Sequence, residues 1–103
     1  MQSVYLKFYL AEKQHHDGVL LYEWLLQQAK KLGVPGGSAF RAVAGFGRHG
    51  RMHEETFFEL AGELPLQVEF VLDAQLADKL LDALRTHELK LFYVRHAVEA
   101  GGL

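Results

Sequence analysis

The sequence predicts an α+β fold, with a four-stranded antiparallel sheet carrying two helices on one face. Three observations predict it. Residues near the N-terminus alternate apolar with polar or aromatic in "SVYLKFYL", the period of a half-buried strand. Two later segments, after Gly18 and after Asp73, change to helical period. Strand patterns return between and after them, so the elements run β-α-β-β-α-β.

Each element has its own signature. Ser3–Leu10 is the first strand, rich in aromatic and branched side chains. "AEKQHHDG" is a polar loop. "VLLYEWLLQQAKKLG" is the first helix: Leu21, Leu25, Gln28/Ala29 and Leu32 share a face, Lys30 and Lys31 sit in the last turn, and Gly33 stops it. "VPGG" turns the chain into a second strand, "SAFRAVAGF". "TFFELA" is a candidate short strand, and "LQVEFVL" is the third main strand, alternating Leu66, Val68 and Phe70. Asp73 is placed to cap a second helix whose stripe is Leu76, Leu80 and Ala83/Leu84. "LKLFYVRHAVEA" is the last strand. This order is that of the ferredoxin-like plait, and 103 residues make one domain, 1–103. Val4, Leu6, Phe8, Val68 and Phe70 then face the helices. The opposite face carries Tyr5, Lys7, Tyr9, Arg41, Val43, Glu69 and Val71. Aromatics, branched residues and opposite charges together suit packing against other copies of the chain better than a solvated face.

Composition bounds the function. The net charge of −2 gives no overall attraction to nucleic acid or anionic membranes. Without cysteine there is neither thiolate chemistry nor a Cys-ligated metal. No signal peptide or membrane-spanning run is present, so the expectation is a soluble, cytoplasmic protein.

The segment with most chemistry is "GFGRHGRMH", Gly45 to His53. It contains the G-x-G-x-x-G spacing of dinucleotide-binding turns. A Rossmann turn, however, follows the first strand and opens a helix packed on the sheet. Here the motif follows the second strand, no apolar helical stripe follows it, and Glu69, near the spacing of the ribose acid, falls inside a strand. The glycines instead permit positive φ and close backbone approach to a ligand. Arg48 and Arg51 offer forked donors for phosphate or carboxylate oxygens, and His49 and His53 add polar contacts. The plain alternative is a solvated basic loop. A metal site would use His49 and His53 with Glu54 or Glu55, although no helix is indicated to align them. His15–His16 beside Asp17 reads as a solvated pair, and His87 and His96 as structural. Ser3, Ser38, Thr56 and Thr86 lie in no nucleophile context, and no acid–base constellation stands out. The expectation is a protein that is not an enzyme.

"KFYLAE", "LYEWLLQQAKKLG", "AFRAVAGFGRHGRMH" and "ELPLQVEFV" together resemble a small bacterial and archaeal family of PII-like proteins, catalogued as domain-of-unknown-function family 190. The G-F-G-R-H after the second strand and the Leu64–Pro65 before the third are the most specific elements. The resemblance implies a homotrimer with its sheets facing the three-fold centre. It also implies an adenine nucleotide (AMP, ADP or ATP) or similar anion bound between subunits, and signalling through the loop after the second strand. The site would comprise Gly45, Phe46, Gly47, Arg48, His49, Arg51 and His53, with Arg41 or Arg95 contributing from the sheet or a neighbouring subunit. The regulated partner would be a membrane transporter or channel. Two departures from established PII signalling proteins are visible. There is no tyrosine between Phe46 and Leu91 for uridylylation, and the final strand keeps only Lys90 and Arg95 of a basic phosphate pattern. The alternatives are a divalent-metal-binding trimer using His49 and His53, or a structural subunit without ligand.

Overall fold

The computed structural model describes residues 2–45 and 65–103. Within them, β1 (Ser3–Ala11) is a central strand. Its even-numbered residues Val4, Leu6, Phe8 and Leu10 are buried, while Tyr5, Lys7 and Tyr9 are half-buried on the other side. The expected loop then holds a small ribbon, β2 (His15–His16) paired with β3 (Val19–Leu20). Asp17 and Gly18, at φ 52° and 82°, form its two-residue turn. Asp-Gly suits a type I′ hairpin, where both central residues need positive φ.

Helix α1 (Leu21–Lys31) starts directly from the ribbon. No side chain caps it; the Leu21 N–H donates to the Gln14 carbonyl at 2.7 Å instead. It buries Leu21, Trp24, Leu25 and Ala29, whereas Leu32 lies past its end, exposed. The end is a Schellman motif: Gly33 at φ 94° donates to Lys30 O, and Val34 donates to Ala29 O. Val34 itself is buried, tying the helix exit to the core.

β4 (Gly37–Arg41) is shorter than its apolar run and lies at a sheet edge, paired with β5 (Pro65–Asp73). The candidate strand at 56–61 lies outside the described residues. Helix α2 (Ala74–Thr86) follows β5 without a loop. Asp73 occupies its N-cap position but makes no capping bond; the Ala74 N–H donates to Gln2 O at 2.9 Å. Its buried residues are Ala77, Leu80, Leu81 and Leu84, so Leu80 and Leu84 are as expected, and Leu76 is half-buried against the same core. Finally β6 (Phe92–Val98) pairs with β1.

The sheet order β4-β5-β1-β6 is that of the ferredoxin-like plait. One core joins the even-numbered β1 and β5 side chains to the inner faces of both helices. Among the described residues no polar side chain is buried in it, and no helix is long and apolar enough to cross a membrane.

Candidate functional site

The sheet face away from the helices is uncovered by the described residues, and the register fixes what lies on it. Tyr5 opposes Val71 and His96, Lys7 opposes Glu69 and Val94, and Tyr9 opposes Gln67 and Phe92. Ser38 and Phe40 extend the face at the β4 edge. Phe40, Val71 and Phe92 remain 52%, 44% and 37% exposed, so among the described residues this face is broad, apolar and open.

At its centre is a compact polar group. The Tyr5 hydroxyl donates to Glu69 Oε2 at 2.5 Å. The Lys7 ammonium lies 5.5 Å from the Tyr5 ring centroid and 5.7 Å from that of Tyr9, within cation–π range. Partial burial, reinforced by the Glu69 carboxylate, holds the Tyr5 phenol above its ordinary titration range. The Tyr5 hydroxyl beside it raises the Lys7 ammonium in turn. His96 and Phe92 flank Tyr5 and Tyr9, with ring centroids 5.2 Å and 5.4 Å away. Beside this group an open recess of about 430 Å³ is lined by Tyr5, Glu69, Val71 and the turn from Pro35 to Ser38. Gly37 borders it, but a Cβ there would point to the helix side, 2.4 Å from the buried Phe70 Cε1.

Of the sequence-derived site, Arg41 and Gly45 lie at the other end of β4. Arg41 opposes Leu66, a buried helix-side residue, so Arg41 belongs to the helix side of the sheet. It was expected on the open face; because β4 begins its pairing at Gly37, Phe40 takes that place. Val43 lies past the strand, fully exposed. Arg41 binds Glu12 Oε2 through Nη2 at 2.6 Å and Nε at 2.9 Å. The Ala42 N–H donates to Pro65 O at 2.8 Å, which continues the β4–β5 ladder to the base of the connection. Gly45 stands beside Pro65, where an added Cβ would meet Pro65 Cγ at an ordinary 3.7 Å. Its φ is not positive, so local backbone geometry does not require glycine at 45. Phe46, Gly47, Arg48, His49, Arg51 and His53 lie outside the described residues.

Arg95 is on β6, the opposite edge from Arg41, and also on the helix side, opposing Leu6. It binds Asp78 Oδ1 at 2.6 Å and the Ala74 carbonyl at 3.2 Å. One chain therefore does not bring Arg41 and Arg95 together.

Two histidines expected to be unremarkable form a cluster instead. His16, Trp24 and His87 contact one another edge-on, with centroids 4.4 Å, 4.8 Å and 5.4 Å apart, and Asp17 stands beside them. Asp-Gly after the pair is the sequence signal for the turn that brings His16 back onto α1. Nothing local in the sequence places His87 there.

Residues 3–100 match the family DUF190, described as "Uncharacterized ACR, COG1993". A UPF0166 protein of Aquifex aeolicus is 29% identical over 80 residues, 78% of this chain and 76% of that one. A UPF0166 protein of Methanocaldococcus jannaschii is 32% identical over 66 residues, 64% of this chain and 60% of its relative. Among solved structures, CPII, a nitrogen regulatory PII-like protein from Thiomonas intermedia K12, superposes with a TM-score of 0.65 at 15% identity. The match covers 100% of this chain and 97% of CPII, which is bound there to ADP, AMP and bicarbonate. A second structure of CPII, bound to ADP and bicarbonate, gives a TM-score of 0.67 at 16% identity over 99% of this chain and 91% of that one. At such identities these structures establish the shared fold.

Proposed function

Since the chain belongs to the PII-like DUF190 family, we propose that it is a non-enzymatic, trimeric effector-binding protein of the cytoplasm. It is one domain, residues 1–103, and it regulates a partner of the membrane-transporter or channel class. The effector is an adenine nucleotide or a similar small anion. The observation that carries this reading is the uncovered sheet face, where Phe40, Val71 and Phe92 surround the Tyr5–Glu69–Lys7 group. A closed ring of three such faces buries the apolar surface, as self-association of an exposed patch requires.

Assembly also solves the problem of the separated arginines. Arg41 and Arg95 lie on opposite sheet edges, so they share a site only where the β4 edge of one subunit approaches the β6 edge of another. At that boundary the base of the 45–53 segment, closed by Ala42 and Pro65, delivers Arg48, His49, Arg51 and His53 to the nucleotide phosphates. Gly45 and Gly47 let the backbone N–H groups approach the same anion, and Phe46 packs on the base. The effector orders the segment, and the partner reads the ordered form. ADP, AMP and bicarbonate on CPII support the ligand class.

The test is calorimetric titration with AMP, ADP, ATP and cyclic dinucleotides, each with and without magnesium. Saturable binding near one site per subunit is expected. Arg48→Ala should weaken it by about 1.5–3 kcal/mol, the strength of a charge-assisted bond to phosphate. A folded protein that takes up no nucleotide would overturn the effector reading, and unchanged affinity in the variant would remove Arg48 from the site.

A further inference from the structure

We propose that His16, Asp17 and His87 form a binding site for a divalent first-row transition metal, separate from the nucleotide reading and independent of it. One ligand atom from each of the three residues lies within 4.8 Å of the others. Two imidazoles and one carboxylate are a donor set suited to zinc, nickel, cobalt or iron(II).

His16 is the anchor. Its ring packs against Trp24 at 4.4 Å and is held from below by α1. Its Nε2 is buried and makes no hydrogen bond; Asp17 Oδ2 is 3.3 Å away but outside hydrogen-bond geometry. Buried polar atoms rarely go without a partner, so this nitrogen is open to a ligand. A metal supplies the missing one.

The other two ligands reach the same point from different elements. Asp17 comes from the ribbon turn, where its φ of 52° swings the carboxylate back beside His16. His87 comes from the C-cap of α2, and the next residue, Glu88, is again in the left-handed region at φ 55°. Around a tetrahedral ion with bonds of about 2.1 Å, neighbouring ligand atoms stand about 3.4 Å apart. The cluster must therefore tighten by an ångström or so. His87 and Asp17 are both exposed and free to make that adjustment, while His16 stays fixed. Three protein ligands leave a coordination position for water or a small anion.

The chain has a single tryptophan, and it lies against the anchor ligand, so Trp24 fluorescence reports occupancy directly. The experiment titrates the full-length protein with Ni²⁺ and with Co²⁺, then competes with Zn²⁺. Saturable quenching at one equivalent per chain, relieved by Zn²⁺, is expected. His87→Ala and Asp17→Asn should each weaken it by more than about tenfold, as loss of a ligand must exceed the loss of its outer-shell support. Both keep the fold: His87 is exposed, and asparagine tolerates the left-handed turn position. The His49→Ala/His53→Ala double variant should quench like the parent chain. No quenching in the folded protein, quenching unchanged in both ligand variants, or quenching abolished by the 49/53 pair would each overturn the site.

Discussion

Replacing Gly37 with alanine tests how closely the β4 edge packs on the core. The new Cβ would lie 2.4 Å from Phe70 Cε1, 2.6 Å from Phe70 Cδ1 and 3.1 Å from Leu26 Cδ2. Ordinary contact needs the ring to retreat by about an ångström. Phe70 has no room to do so: it is 2% exposed and packed edge-on against Phe8 at 6.2 Å. Overpacking of this kind costs about 1–3 kcal/mol, and the stiffer unfolded chain returns about 0.4–1 kcal/mol. The net loss should be about 1–2 kcal/mol, or roughly 5–15 °C in Tm for a domain of this size. Urea and thermal denaturation measure it, at fixed protein concentration because self-association would add to apparent stability. Gly36→Ala is the control, since an added Cβ there meets nothing within 4 Å and φ is not positive. In a Phe70→Leu background the Gly37→Ala cost should shrink, giving a coupling above about 0.5 kcal/mol. A Gly37→Ala protein as stable as the parent, or no coupling to Phe70, would refute the packing argument.

The remaining predictions concern the open face and the edge arginines. Val71→Glu places a charge on the exposed apolar face and should reduce the mass seen by light scattering to that of one 11.7 kDa chain; an unchanged mass would locate the subunit contact elsewhere. The Tyr5 and Lys7 values are both raised in the folded chain, so their stabilisation is complete below pH 10 and is lost as pH rises through the folded values. Tyr5→Phe should flatten that alkaline decline in denaturation curves between pH 9 and pH 11, and an identical decline would remove Tyr5 as its source. The Arg41–Glu12 pair is largely exposed on its arginine side, so Arg41→Ala should change stability by no more than about 1 kcal/mol. If Arg41 serves the anion site, the same variant lowers nucleotide affinity.

Much of the plait was legible because burial follows period. Val4, Leu6, Phe8 and Leu10 against Tyr5, Lys7 and Tyr9 assign the faces of β1 from sequence alone, and β5 repeats the pattern. Arg41 was misplaced because a one-residue change in where a strand begins pairing moves every side chain to the other face. β4 begins at Gly37, whose missing side chain admits Phe70, and a glycine carries no apolar signal. The ribbon was missed although Asp17–Gly18 announces it, since strands of two residues show no alternation. Asp73 reaches its cap position without a side-chain cap bond, and the first N–H of α2, that of Ala74, donates to Gln2 O. The meeting of His16 with His87 is purely tertiary: α2 runs back so that its C-terminus meets the start of α1. Tyr5 and Glu69 were read only as members of a face suited to packing against other copies, and their hydrogen bond gives that face its polar centre.

The most direct test of the account is native mass spectrometry of the unmodified protein with AMP, ADP and ATP, which counts subunits and bound nucleotides together. The account predicts an assembly of three 11.7 kDa chains that takes up to three nucleotides. A monomer, or a trimer that remains free of nucleotide at saturating concentration, would contradict it.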